Sequence, residues 1–271
     1  MSTTVVFVKL GGSLITDKMH AYTARHDDLA RLAGEVHQAL DAVPDLTLLI
    51  GHGSGSFGHW AARPYGTRQG VHTRTQWRGY AEVAAAAARL NRIVTDALLK
   101  AGVPVLSVQP SASARCHDGA LKYLDTHPIH AALAQGLVPL VYGDVALDDV
   151  RGGTIISTED IFLYLADELC PAHILLLGEV PGVLGPDGVV VPRITPADLP
   201  TLREALGGSG GVDVTGGMAD KVSRMVELVQ RHPETCVHIL SGTEPGLLTR
   251  VLLPPPIGRE REVGGTRITA Q

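Results

Sequence analysis

Short runs of aliphatic and β-branched residues alternate along the chain with stretches in which apolar positions recur every three or four residues. Val5-Val6-Phe7-Val8 ends at Gly11-Gly12-Ser13, and the run at 46–50 ends at Gly51, so each reads as a buried strand entering a glycine loop. Between them Leu29, Leu32, Val36 and Leu40 share one helical face, with Asp27 and Asp28 where a helix N-terminus favours negative charge. The segment is a β–α–β unit. An alanine-rich amphipathic stretch from about Arg74 to Lys100, closed by Gly102, predicts a long helix leading into a strand at 103–108. Further strands are expected at 138–142, 174–177 and 237–240, with helical patterns at 161–169 and 219–229. Strands alternating with helices predict an α/β protein, a three-layer αβα sandwich around a mostly parallel central sheet. A hairpin is expected at 148–153 and a tight turn at Pro186-Asp187-Gly188; the glycine-rich 207–211 reads as a surface loop, not a domain boundary.

The 271 residues suit one large α/β domain or two small ones. With 45% hydrophobic and 19% charged residues, the composition excludes a disordered chain, a coiled coil and a collagen-like repeat. A net charge of −5 supplies no basic footprint for nucleic acid or anionic lipid, so neither partner is expected. Cys116, Cys170 and Cys236 are too dispersed for a Cys-x-x-Cys site and read as small core residues. No basic residue precedes Lys9 and no apolar run approaches the roughly 18 residues of a membrane span, so a cytoplasmic protein is expected.

Three glycine-rich segments carry the chemistry: Lys9-Leu10-Gly11-Gly12-Ser13, then residues 51–59 (Gly-His-Gly-Ser-Gly-Ser-Phe-Gly-His), then Thr215-Gly216-Gly217-Met218. Glycines at a strand-to-helix junction can form a plain tight turn. Two of these segments follow strands and all three precede expected helices; three together point to phosphate, because they let backbone N–H groups approach an anion beside the positive end of a helix. Gly53, Gly55 and Gly58 satisfy G-x-G-x-x-G, yet the acidic residue a dinucleotide site needs about 20 residues on is missing; the next carboxylate is Glu82, inside the alanine-rich helix. A Walker A loop is excluded, since Gly-Lys occurs nowhere in the chain.

The basic residues comprise 18 Arg and only five Lys, and three of the lysines stand beside or near glycine loops. Lys9 leads the first loop, Lys18 follows nine residues later, and Lys221 falls in the first turn after Gly216-Gly217; Lys100 and Lys122 read as solvated surface residues. An ammonium is a compact point charge suited to a phosphoryl group in transfer. Asp144, in Tyr142-Gly143-Asp144-Val145, stands at a strand's carboxyl end; it either caps a turn or holds the lysines in position. His59 reads as the end of the second loop at a helix start, where its imidazole either donates to an acceptor phosphate or has a surface role. No HExxH or Cys/His ligand spacing signals a zinc site.

These motifs resemble the amino acid kinase family and, within it, the isopentenyl phosphate kinases: the first loop with Lys18, the Ser-Phe-Gly-His ending of the second, Tyr142-Gly143-Asp144-Val145, and 213–218 with Lys221. The resemblance implies a single amino acid kinase-like domain, residues 1–145 binding the acceptor and 146–271 the nucleotide, in a homodimer. It gives Lys9 and Lys18 the transferring phosphoryl group, Lys221 the ATP phosphates, and Asp144 the organising of the lysines. Gly11, Gly12, Ser13, Gly216 and Gly217 would face ATP, with Mg2+ carried on its phosphates. Gly53, Ser54, Gly55, Gly58, His59 and Gly143 would hold a small-molecule phosphate acceptor. An apolar tail would lie along Trp77, Tyr80, Val83 and Ala84, with Ala85 and Ala88 leaving room. The fosfomycin-phosphorylating kinases look similar in the same places, and a non-catalytic nucleotide binder of this fold is a further alternative. Departures from the family pattern are Ser54, Ser157-Thr158-Glu159-Asp160 where Ser-Gly-Asp is common, and Glu179-Val180-Pro181-Gly182 in place of Asp-x-x-Gly.

Overall fold

The computed structural model describes residues 5–201, 217–254 and 264–271. Its central sheet has eight strands, in order across the sheet β10 (Arg193–Ile194), β12 (Thr266–Ile268), β11 (Cys236–Ser241), β9 (His173–Gly178), β1 (Val5–Leu10), β2 (Thr47–His52), β6 (Val138–Tyr142) and β3 (Val105–Ser107). Every neighbouring pair is parallel except β11 with β12. The N-terminal strand is central, with its sequence-near partners on one side and the strands from the second half of the chain on the other.

Side chains alternate along β1, so one strand feeds both cores. Val6, Val8 and Leu10 pack with α2 (His26–Ala42) and α4 (Arg74–Lys100), whereas Val5 and Phe7 pack with α6 (Thr158–Leu169) and α7 (Gly217–Arg231). Lys9 is on the Phe7 side of the strand, and that parity aims it at α6 and α7. The expected β–α–β start, the strand at 138–142 and the helix over 74–100 are all present. A capping box starts α4: Thr73 Oγ1 accepts from the Gln76 N–H at 3.2 Å, while Gln76 Oε1 accepts from the Thr73 N–H at 3.0 Å. Gly102, with φ +92°, lies just beyond its C-cap.

Two expectations need correction. The strand at 103–108 shortens to Val105–Ser107, because Pro104 has no N–H to donate and the Val103 N–H turns back to the Leu98 carbonyl at 3.0 Å. Of the three cysteines only Cys116 is a core residue; Cys170 is exposed at the left-handed C-cap of α6. The hairpin at 148–153 joins β7 (Asp144–Asp148) to β8 (Gly152–Ile156), but it belongs to a second sheet of order β5-β4-β7-β8. Its other strands, β4 (Arg115–His117) and β5 (Ala120–Tyr123), are three and four residues long and mostly exposed, too short to show a period-two pattern. The glycine-rich 207–211 lies outside the described residues. Among the described residues no helix is long and apolar enough to cross a membrane.

Candidate active site

The carboxyl ends of β1 and β2 lie side by side, with Lys9 opposite Gly51 and Leu10 opposite His52. The two loops that follow touch through their backbones. A Cβ on Gly12 would stand 2.6 Å from the Gly55 nitrogen, and one on Gly53 would stand 2.9 Å from the Gly12 nitrogen, so a side chain at either position would drive the loops apart. Gly11 is pressed equally close to the end of β9: its N–H donates to the Leu177 carbonyl at 2.8 Å, and a Cβ there would meet that oxygen at 2.6 Å. Thr16, fully buried after the short helix α1 (Gly12–Ile15), ties the loops together. Its hydroxyl donates to the Gly12 carbonyl at 2.6 Å and accepts from the Ser56 N–H at 2.9 Å. Nothing in the sequence marks Thr16, one of three threonines between the two loops.

Ser13 is half-buried within α1. Ser54 is the N-cap residue of α3 (Gly55–Ala62), and its side chain lies over Gly58, where a Cβ would stand 2.2 Å from the Ser54 hydroxyl. The helix therefore begins four residues before His59, which is exposed within it and not at a helix start as expected. Gly143 closes the same region by donating its N–H to the His52 carbonyl at 3.1 Å.

On the other side of β1, the buried Lys9 ammonium donates to the carboxylate of Glu159, which is also buried. Glu159 belongs to the first turn of α6, whose start is set by a capping box: Ser157 Oγ accepts from the Asp160 N–H at 3.1 Å and Asp160 Oδ2 accepts from the Ser157 N–H at 2.8 Å. Burial alone would push the Glu159 carboxyl up. The charges of Lys9 and Lys221 and the hydrogen bond from Lys9 overcome it, bringing the group down to about 2. Asp160, the next residue, uses its other oxygen to pair with Arg224 of α7, which docks the helix bearing Lys221 against α6.

This arrangement corrects the role expected of Asp144. Its carboxylate accepts from the Ser111 N–H at 3.1 Å and the Val145 N–H at 2.8 Å; among the described residues the carboxylate bonded to Lys9 is Glu159. Burial raises the Asp144 carboxyl above its ordinary range, and its charge helps to push the Tyr80 hydroxyl up to about 12, mainly the result of that hydroxyl's own burial. Asp144 thus belongs to the Tyr80 side. Trp77 and Tyr80 meet edge-on at 5.3 Å, and a Cβ on Gly153 of β8 would stand 2.9 Å from the Tyr80 ring. Val83 is buried beside them and Ala84 and Ala88 are half-buried, but Ala85 is exposed and contributes no space to a pocket. Lys18 is exposed on the turn between α1 and α2. Gly217 opens α7 with φ +47°; Gly216 lies outside the described residues.

Two further residues join the two halves of the site. The Thr158 hydroxyl donates to the His52 carbonyl at 2.6 Å, fastening the head of α6 to the end of β2. The His52 ring is fully buried and stacked on Tyr142 at 5.5 Å; its nitrogens lie 3.0 Å from the Gly53 carbonyl and 3.2 Å from Asn91 Oδ1. Burial brings its pKa down to about 4, so the ring is neutral at pH 7.

Contacting glycine loops on one side of a strand and a charge-paired lysine on the other define a phosphoryl-transfer site. The chain belongs to the amino acid kinase family, whose model matches residues 4–241. The isopentenyl phosphate kinase of Methanothermobacter thermautotrophicus is 35% identical over 280 residues, covering 98% of this chain and 100% of its own. That of Haloferax volcanii is 38% identical over 252 residues, covering 91% and 98%. An X-ray structure of isopentenyl phosphate kinase superposes with a TM-score of 0.79 at 32% identity, covering 97% of this chain and 100% of that one.

Proposed function

We infer that this chain transfers the γ-phosphoryl group of ATP to isopentenyl phosphate, forming isopentenyl diphosphate and ADP in isoprenoid precursor synthesis. The observation that carries the reading is the buried Lys9–Glu159 pair beside two glycine loops in backbone contact. The bond from the γ-phosphorus to its bridging oxygen breaks as an acceptor phosphate oxygen bonds to that phosphorus. A phosphate monoester has its second pKa near ~6, so at neutral pH the acceptor is largely a dianion and requires no general base. The protein's work reduces to positioning and charge neutralisation.

In this reading Gly12, Ser13 and Gly217 turn backbone donors to the ATP phosphates, while Gly11, whose own N–H is taken by the Leu177 carbonyl, lets the loop pass close to them. Lys9 and Lys221 neutralise the phosphoryl group and Glu159 holds their ammonium groups in place, the task first expected of Asp144. Lys18, exposed nearby in sequence, meets the transferring group only with substrates present. Gly53, Ser54, Gly55, Gly58, Gly143 and His59 receive the acceptor phosphate, and Trp77, Tyr80 and Val83 wall its tail. Mg2+ carried on the ATP oxygens would add charge neutralisation. The acceptor is assigned to residues 1–145 and the nucleotide to 146–271, a division supported by β1 standing between the two groups of strands. A cytoplasmic homodimer accords with this reading.

The test is ADP release from Mg-ATP with isopentenyl phosphate, dimethylallyl phosphate and fosfomycin offered in parallel, beside an acceptor-free control. Strong preference for isopentenyl phosphate is expected. Preference for fosfomycin would overturn the acceptor, and silence with all three despite ATP binding would overturn the enzyme reading.

A further inference from the structure

The opposite end of the central sheet holds a second cluster of reactive side chains. His173 opens β9, Cys236 opens the neighbouring β11, and the two are register partners on parallel strands; His238 is two residues further along β11. In-register residues of adjacent strands lie about 4.8 Å apart, and residues i and i+2 share a face, so all three side chains leave the same face of the sheet. One ligating atom from each, an imidazole nitrogen or the thiol sulfur, lies within 4.8 Å of the other two. The imidazole rings of His173 and His238 are 5.5 Å apart at a 50° tilt. Cys236 and His173 are half-buried and His238 is buried.

We propose that His173, Cys236 and His238 form a binding site for a divalent transition-metal ion of Zn2+ type, distinct from the phosphoryl-transfer site. Two imidazoles and a thiolate are a borderline-soft donor set that suits zinc and disfavours Mg2+ and Ca2+, which take oxygen ligands. With Zn–N of about 2.0–2.1 Å and Zn–S of about 2.3 Å, ligands on one tetrahedral ion sit roughly 3.4–3.6 Å apart. Closing from 4.8 Å asks only for rotation of side chains whose terminal torsions are soft. Binding converts the Cys236 thiol to thiolate with release of one proton, and the fourth position falls to water. The ion would clip the start of β9 to the start of β11. From His173 to Leu177, the residue against which the first glycine loop packs, is four residues of strand, about 13 Å. Occupancy can therefore be read separately from turnover.

Tag-free protein, stripped with chelator, is titrated with Co2+ alone and then with Zn2+ in competition. The expected result is one equivalent of Co2+ giving tetrahedral d–d bands and a thiolate-to-cobalt charge-transfer band, both removed by Zn2+. Cys236→Ser abolishes the charge-transfer band, His173→Ala and His238→Ala weaken binding by about tenfold or more, and Cys170→Ser leaves it unchanged. Retained kinase turnover establishes that the variants are folded. The unmutated protein supplies a second measure: one equivalent of Zn2+ slows alkylation of Cys236 but not of exposed Cys170, read by peptide mass. Absence of the charge-transfer band, its persistence in Cys236→Ser, its loss in Cys170→Ser, or unaltered Cys236 alkylation would each overturn the proposal.

Discussion

Replacing Glu159 by glutamine keeps the shape of the side chain but removes the negative charge from beside Lys9, leaving an ammonium group buried. Two routes give the cost. The carboxyl is brought from its ordinary 4.5 to about 2, a displacement worth about 3 kcal/mol at about 1.4 kcal/mol per pKa unit. Breaking one partner of a buried ion pair elsewhere costs about 3–5 kcal/mol. Because the folded-state pKa is depressed, the contribution is complete above the unfolded value of 4.5 and disappears as the pH falls through about 2. By linkage roughly half of it remains at pH 3. Urea denaturation of parent and Glu159→Gln should therefore show a gap of about 3 kcal/mol at pH 7 that halves by pH 3. At pH 7 the variant's kcat should fall about 100-fold, the scale of a catalytic group misplaced by roughly 1 Å, while its acceptor KM changes little. A gap below 1 kcal/mol at pH 7, or one that does not shrink with acid, would refute the pairing as the source of the low pKa.

Other perturbations address the scaffold around that pair. His52→Asn should flatten the acid dependence of stability: the buried ring resists protonation down to about 4 while the unfolded chain takes up its proton near 6.5, so the parent should lose about 3 kcal/mol more than the variant between pH 7 and pH 4 in the same urea series. Thr158→Val removes the hydroxyl bonded to the His52 carbonyl, which keeps the Gly143 N–H as a second donor, so a modest loss of about 1 kcal/mol is expected by thermal melting, with Thr158→Ser restoring it. Gly12→Ala places a methyl group 2.6 Å from the Gly55 nitrogen; steady-state kinetics should show kcat/KM reduced about 100-fold at a stability cost of about 1–3 kcal/mol, and a fully active variant would disprove the contact between the loops.

The strands that carry the site were legible because burial on both faces makes them continuous apolar runs, as in β1, β2, β6, β9 and β11. The helices α2, α4 and α7 declared themselves by one apolar face each. What escaped was built from segments too short for a period. The three residues of β4 and the four of β5 carry no alternation that composition could separate from a loop, although they complete the sheet that the visible hairpin began. Thr16 and Thr158 escaped for another reason: each joins segments through a single hydroxyl, to a partner 40 residues away for Thr16 and 106 for Thr158, and distance in sequence carries no signal of proximity. The glycines fared better. Gly11, Gly12, Gly53 and Gly55 stand at positions where a Cβ has no room, so their clustering at strand ends reported a geometric requirement directly.

The misplaced carboxylate shows how local chemistry conceals a site role. Asp144 lies at the end of a parallel strand, where open sheets gather ligands, and that placement favoured it. Glu159 and Asp160 sit in the first turn of a helix, where acidic residues are common because they complement the helix dipole. Both facts are true of the structure, yet the parity of β1 decides between them. Lys9 shares the face of Phe7, and Phe7 packs against Phe162 of α6 with ring centroids 5.0 Å apart, so the lysine reaches the helix head and not the strand end. The dipole-favoured pair is then divided: Glu159 faces Lys9 and Asp160 takes both the capping box and Arg224. One helical turn thereby holds Lys9 of the first strand and docks the helix that carries Lys221. Charge at the head of α6 does more than stabilise a terminus; it ties the end of the first strand to the helix that carries Lys221.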